Sequence, residues 1–272
     1  MFLKKCILCN NTNLEILNLN EILISKCNIC EFQYIPNNIK YIGPDYFIDY
    51  YKKRNELKNS KLNQLRKEQY KIDSKFLSKY INNNQSILDV GCSSGDFIYE
   101  IYNQYKPDYL TGIDLDKSAI IEAERKYSEI AKFDNINLLE ISPNNKFDLI
   151  LFRGTFQYLD QFLHKSVEHV KQILKKNGKI VIFSLPSTDS LVYFLLKEKW
   201  ALFNPEMSLM FNENSFRYLC DKYSLSIDDL DYPYLDDAYS NLDKDYKQLI
   251  NIILGKSDAS TPFWGALMRV VI

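Results

Sequence analysis

The chain has 272 residues, 46% of them hydrophobic and 14% aromatic, and a formal net charge of −1. That composition excludes a disordered chain, and no apolar run is long enough to span a membrane. A near-neutral balance also argues against a surface built for nucleic acid, whose binding is largely electrostatic.

Taken in chain order, two cysteine pairs come first. Cys6-x-x-Cys9 and Cys27-x-x-Cys30 leave 17 residues between them. The spacing fits a four-cysteine zinc ribbon, in which each of two turns supplies two thiolates. An ion held by four thiolates has no open position for water, so the metal is expected to be structural. Two disulfides are the alternative. Nothing in Met1–Cys6 resembles a signal peptide, and the cytoplasmic, reducing setting this implies disfavours them. Residues 1–40 are read as the zinc-ribbon segment.

Lys40 to Lys79 carries 11 basic against 5 acidic residues, with Tyr46, Phe47, Tyr50 and Tyr51 near its start. Such a stretch can be a nucleic-acid surface. The periodic Leu62, Leu65, Ile72, Phe76 and Leu77 instead predict helices that dock on a core with lysines in water. Residues 41–85 are read as a helical connector.

Residues 87–95 read Ile-Leu-Asp-Val-Gly-Cys-Ser-Ser-Gly, and 25 residues beyond Asp89 a second apolar run ends in Asp114. A buried strand, a glycine-bearing turn, a helix and a strand closed by an acid make half of a nucleotide-binding crevice. Gly91 and Gly95 are expected because a side chain there would hold the backbone away from a ligand. The pattern is G-x-x-x-G rather than G-x-G-x-x-G, and it lacks the Lys-Ser/Thr ending of a phosphate loop. Asp114 can accept hydrogen bonds from both hydroxyls of a ribose.

Asp116 can cap a helix whose apolar face is Ala119, Ile120, Ala123 and Tyr127. The run Phe147–Phe152 predicts a parallel strand buried on both faces. Leu163, Val167, Val170 and Leu174 form one helical stripe, which Asn177-Gly178 is expected to stop before a strand over 179–183. Strands alternating with helices predict a doubly wound parallel sheet with its ligands beyond the carboxyl ends of the strands. After Leu185-Pro186 the pattern yields to an aromatic insertion that includes Tyr193, Phe194, Trp200, Phe203, Met207, Met210 and Phe211. Cys220 is expected to pack on an amphipathic helix with Phe216 and Leu219, and Cys92 to be a small packing residue in the turn. Residues 262–272 read as the final strand.

With Asp89 ahead of its turn, the chain resembles the class I S-adenosylmethionine-dependent methyltransferases, whose first motif is written D-x-G-x-G or E/D-x-G-x-x-x-G. The resemblance implies a Rossmann-like doubly wound α/β domain over 86–272. Its last strand would run antiparallel inside the sheet, and its acceptor-side insertion would lie around 186–240. It implies a cofactor set of Asp89, Gly91, Cys92, Ser93, Gly95, Asp114, Leu115 and Arg153, with the turn on the methionine part and Asp114 on the ribose. Ser93 stands where the motif has its central glycine. An acid commonly follows the third strand in this family, and between Asn137 and Pro143 only Glu140 offers one. The fourth-strand exit, often Arg-x-x-x-Glu-His, reads Arg153-Gly-Thr-Phe-Gln157-Tyr158 here. Tyr158 therefore takes the candidate base position, and a phenol of pKa about 10 donates better than it accepts a proton. His164 and His169, among Lys165, Glu168 and Gln172, are expected to be exposed and idle. Trp200, Phe203 and Glu206 are expected to reach the acceptor.

The layout also resembles bacterial methyltransferases with an N-terminal four-cysteine zinc segment, through Tyr41–Phe47 and the Trp-x-x-Phe-x-Pro element of Trp200 to Pro205. That likeness implies a small-molecule acceptor, sugar-linked: a nucleotide sugar or a surface-glycan precursor, methylated on oxygen or carbon. The alternatives are an RNA (rRNA or tRNA) methyltransferase and a non-catalytic module that keeps the cofactor crevice.

Overall fold

In the computed structural model, residues 4–19, 22–36, 61–82, 84–159, 162–200, 202–203, 207–256 and 266–272 are described. The tyrosine-rich stretch before residue 60, Glu206 and residues 262–265 lie outside them. The chain divides into two compact units. One comprises Met1–Tyr41, Phe156–His164 and Ser184–Val270, the other Ile42–Thr155, Lys165–Phe183 and Val271–Ile272.

The first described elements are short antiparallel strands. β1 (Leu14–Leu19) pairs with β2 (Ile22–Cys27) from Leu14↔Cys27 to Leu19↔Ile22, and β3 (Gln33–Tyr34) adds to β2 through Ser25↔Tyr34. Helix α1 (Lys61–Phe76) comes next. Its inward face carries Gln69, Tyr70, Asp73 and Ser74, and Leu77 just beyond it is also buried. Leu65, Ile72 and Phe76 are half-buried, and Phe76 packs against the core as the apolar spacing implied, while a polar row shares the inward face. A polar row can face the interior here because Asp73 is paired with Arg153 and hydrogen-bonded to Gln69.

The chain continues through β4 (Ser86–Val90), α2 (Asp96–Tyr105), β5 (Tyr109–Ile113), α3 (Lys117–Tyr127), β6 (Lys132–Asp134) and β7 (Phe147–Arg153). They lead to α4 (Leu163–Ile173) and β8 (Leu174–Pro186). Asp116 caps α3 as expected, its carboxylate accepting from the Ser118 and Ala119 amides. Helix α4 stops at Ile173, earlier than its stripe implied. Leu174 already pairs with Phe147, and the register shifts before Leu149↔Lys179. Gly178 belongs to this irregularity rather than to a helix end. A Cβ there would stand 2.8 Å from Leu174 Cδ1 and 2.9 Å from the Asp148 carbonyl oxygen.

The remaining elements are α5 (Leu191–Leu196), β9 (Leu209–Met210), α6 (Glu213–Lys222), β10 (Asp229–Asp231), α7 (Leu242–Ile253) and β11 (Leu267–Val271). One sheet has the order β10-β11-β8-β7-β4-β5-β6. The pairs β6/β5, β5/β4, β4/β7 and β7/β8 are parallel. Ile180 and Ile272 exchange both backbone hydrogen bonds at 2.9 Å, so β11 runs antiparallel to β8. This is the Rossmann-like architecture with an antiparallel strand inside the sheet. From β4 the chain winds outward to β6, then returns to β7 on the other side. That reversal leaves a crevice at the carboxyl ends of β4 and β7.

The second sheet has the order β1-β2-β3-β9, with Gln33↔Met210 and Tyr34↔Leu209 in antiparallel register. A strand of the insertion thus completes the sheet of the cysteine segment. Residues 1–40, read as a segment of their own, share a compact unit with Ser184–Val270. Among the described residues no helix is long and apolar enough to cross a membrane.

The interior of the Ile42–Thr155 unit includes Ile87, Ile98, Leu149, Leu151 and Phe183. Phe183 is 1% exposed and meets Phe76 and Phe97 edge-on, with centroids 5.9 Å away in both cases. Truncation there removes both ring contacts and leaves a void. Phe183→Ala is expected to lower stability by about 3–5 kcal/mol in urea denaturation.

Candidate functional site

The turn after β4 is built on one carbonyl. The amides of Gly91 and Cys92 both donate to Ile113 O, at 2.8 and 3.0 Å, at the end of the neighbouring strand. Gly91, Ser93 and Gly95 have φ values of 78°, 54° and 74°. Only glycine takes that region freely, so Ser93 carries about 1–2 kcal/mol of strain where the motif has glycine. The Ser93 amide donates to Asp114 Oδ2 at 2.8 Å, and the Asp116 amide to Oδ1 at 2.9 Å. Asp114 therefore stands fixed at the carboxyl end of β5, with half-buried Leu115 beside it.

The glycines are required by the protein's own packing, a different reason from ligand clearance. A Cβ on Gly91 would stand 2.2 Å from Thr155 Cγ2, and one on Gly95 would stand 2.9 Å from the Phe133 ring. Cys92 is buried, and burial pushes its thiol well above the usual range. It packs where Gly112 leaves room, Sγ lying 2.7 Å from the place of the missing Cβ.

Asp89 is the unusual member. It is 2% exposed, and its Oδ1 is buried with no hydrogen-bond partner. Burial pushes its carboxyl up to about 7; Arg153 opposes the rise and Asp114 adds to it. Arg153 gives its Nε hydrogen to Asp73 Oδ2 at 2.7 Å and lies 4.5 Å from the Tyr70 ring centroid. Asp73 escaped the sequence reading because an acid on an amphipathic helix ordinarily faces water.

Glu140 does not stand at a strand end. β6 stops at Asp134, and the Glu140 carboxylate accepts from the Asn137 amide at 2.8 Å in a capping box. The strand-end position belongs to Asp134 and Asn135, and Asn135 donates to the Asp114 carbonyl at 2.9 Å.

A cofactor with an adenosyl group and a cationic amino-acid end fits these residues. The Asp114 carboxylate, held by backbone amides, suits a ribose, and the orphaned Asp89 oxygen suits a cation.

In the other unit, Tyr158 is half-buried and packs on Ile24, Ile35, Met207 and Met210. Tyr193 gives its hydroxyl hydrogen to Gln33 Oε1 at 2.8 Å. Trp200 is 2% exposed among Val192, Tyr193 and Leu196, so it is a packing residue and not an acceptor contact. Phe203 is half-buried between two apolar clusters.

His164 is not idle. Its Nε2 meets the Ile7 carbonyl and its Nδ1 the Tyr223 hydroxyl, each at 2.5 Å. Ile7 offers only an acceptor, so Nε2 carries the hydrogen. His169, in the unit of the parallel strands, is half-buried with Nε2 unpartnered.

The four sulfurs of Cys6, Cys9, Cys27 and Cys30 all lie within 4.8 Å of one another. Cys6 and Cys30 are 3.6 Å apart, and Cys9 and Cys27 are 3.5 Å apart. A zinc ion with bonds of about 2.3 Å needs its sulfurs about 3.8 Å apart, so the arrangement fits. The two turns match each other. Asn10 donates to the Cys6 carbonyl and Glu31 to that of Cys27, both at 2.9 Å, and both donors have a positive φ, 63° and 59°. Hydrogen bonding with the Cys30 sulfur holds the Cys6 thiol below its ordinary range.

The profile of a family described as "Methyltransferase domain" matches residues 62–230. The chain belongs to this methyltransferase family. Malonyl-[acyl-carrier protein] O-methyltransferase 2 of Ilyobacter polytropus is 28% identical over 149 residues, 52% of this methyltransferase-family chain and 55% of the relative. A malonyl-[acyl-carrier protein] O-methyltransferase of a Paenibacillus species is 29% identical over 103 residues, 35% of this chain and 37% of that protein. The alignments thus span about half or less of these curated relatives. Among solved structures, the plantazolicin methyltransferase BpumL in complex with SAH aligns with a TM-score of 0.54 at 18% identity, covering 82% of this chain and 89% of its own. A chain of the complex between the Haloferax volcanii Trm112 methyltransferase activator and a putative methyltransferase gives 0.59 at 12%, covering 77% and 90%. These two likenesses establish the shared fold.

Asp89 makes stability depend on pH in a definite direction. Its folded-state value of about 7 lies above the ordinary 3.8, so folding favours the neutral acid. That contribution is present below about pH 4 and is lost as pH rises through 7. Asp89→Asn should therefore melt near the wild-type temperature at low pH and above it beyond neutrality, with the difference growing across that window.

Proposed function

We propose that this protein transfers a methyl group from S-adenosylmethionine to a small-molecule acceptor. The observation that carries the reading is the pair of carboxylates, Asp89 and Asp114, flanking a turn with three left-handed residues. When bound, S-adenosylmethionine supplies an electrophilic methyl group on a sulfonium. Asp114 would accept the ribose hydroxyls while the Ser93 and Asp116 amides keep its oxygens oriented. Asp89 would meet the ammonium of the methionine part. Gly91, Cys92, Ser93 and Gly95 would line that end, and Leu115 would lie against the nucleoside. Arg153, at the end of β7, completes the charged surroundings. Methyl transfer is an in-line displacement, so holding both reactants aligned provides much of the acceleration.

The names of the relatives, a malonyl-[acyl-carrier protein] O-methyltransferase and a plantazolicin methyltransferase, support an acceptor other than a nucleic acid. For the acceptor itself we favour a sugar-linked molecule, a nucleotide sugar or surface-glycan precursor. The four-cysteine segment and the aromatic elements at 41–47 and 200–205 support it. Tyr158, in the position of the family's base, would orient an acceptor hydroxyl by donating to it. Cys6, Cys9, Cys27 and Cys30 would hold one structural zinc ion, all four of its positions taken by thiolates.

Calorimetry with S-adenosylhomocysteine tests the donor site. The wild type is expected to bind, and Asp114→Ala to weaken binding about a hundredfold through the lost ribose hydrogen bonds. An Asp114→Ala protein with wild-type affinity would defeat the proposal. Incubating extracts with labelled S-adenosylmethionine, then mass spectrometry, reads the acceptor; label confined to RNA would overturn the small-molecule class. Elemental analysis should find one zinc per chain, and Cys27→Ser should lose it.

A further inference from the structure

Helix α1 carries an acid on the face it turns inward. Asp73 is 4% exposed; its Oδ2 accepts from Arg153 at 2.7 Å and its Oδ1 from Gln69 Nε2 at 2.8 Å. The Arg153 guanidinium lies over the Tyr70 ring and 5.6 Å from the ring centroid of Phe97, in the first turn of α2. Withdrawing two charges from water costs several kcal/mol each, and apolar replacements for such pairs are often neutral or stabilising. Helix stability alone therefore does not account for the pair.

The neighbours of Arg153 in the chain supply a reason. Gly154 has φ 68°, and Thr155 Oγ1 donates to the Val90 carbonyl at 2.8 Å. The Thr155 methyl fills the space that Gly91 leaves. Arg153 thus begins the segment that braces the turn after β4.

We propose that Asp73 is a positioning residue, fixing Arg153 at the end of β7 beside the cofactor turn and offsetting its charge there. The inference rests on the reading of that turn as an S-adenosylmethionine site. Three groups bear on Asp89: Arg153 from β7, Asp114 from β5 and Cys92 within the turn. Asp73 acts on it through Arg153. Removing the Asp73 charge strengthens the pull of Arg153 on Asp89, so Asp89 ionises at lower pH. An ionised Asp89 holds the cofactor ammonium better, so affinity rises with pH through this titration.

The test is calorimetry of S-adenosylhomocysteine with the full chain from about pH 5.5 to about 8.5, a span that brackets the Asp89 titration. Asp73→Asn, nearly isosteric, is expected to move the midpoint of the affinity profile about one pH unit lower. Asp73→Glu restores the charge and should bring it back. Gln69→Leu removes the outer hydrogen bond and is expected to weaken binding about threefold with an unmoved midpoint. A wild-type midpoint in Asp73→Asn overturns the proposal. If that variant does not fold, wild-type affinity in Gln69→Leu overturns it instead. Absence of binding by the wild type defeats the cofactor reading, and the role of Asp73 falls with it.

Discussion

Two amides of one turn converge on a single carbonyl, that of Ile113, and this convergence sets the geometry of the candidate cofactor site. With Gly91 and Cys92 tied to the end of β5, the chain must reverse within a few residues to begin α2. The reversal is possible because Gly91, Ser93 and Gly95 all take positive φ. It brings the Ser93 amide onto Asp114, so the acid that would receive a ribose is also the acid that holds the turn closed. One backbone donor to each oxygen fixes the orientation of the carboxylate. The site is therefore organised by groups that hold their places before a ligand arrives.

Much of this was legible because local chemistry dictates it. The Asp116 cap, the continuous apolar run of β7 and the interval from Asp89 to Asp114 each depend on residues close in sequence. The features that escaped the reading depend on distant partners. Asp73 faces inward only because Arg153, eighty positions later, answers its charge. Gly178 reads as a helix stop until β7 is seen beside it, where it relieves a crowded register shift. His164 looks like a surface histidine on a helix, yet its partners are the Ile7 carbonyl and the Tyr223 hydroxyl. Trp200 sits in the aromatic run expected to reach an acceptor, and the apolar cluster around it claims the ring instead. Periodicity reports how an element would meet a generic interior; it has no access to a charge supplied by another element.

The cysteine segment shows the same dependence at larger scale. β3 has two residues and β9 two, too few for either to persist alone. They pair because flanking side chains bury together: the Phe211 ring lies near those of Phe32, Phe156 and Phe216, with centroids 4.8, 5.8 and 5.7 Å away. These rings come from three separated parts of the sequence, so each part must be in place before the others gain from burial. Polar contacts obey the same division. Glu31, immediately after the second cysteine pair, accepts from Asn212 and Asn214 at the start of α6, while Lys222 at its end reaches the Leu8 carbonyl. One helix thereby touches both cysteine turns, near its two ends. A metal ion joining those turns would close a loop of structure that α6 already spans. Small units with little core gain most from such a staple. On this argument the four thiols and the insertion form one cooperative element, and neither the cysteine spacing nor the aromatic run could reveal it singly.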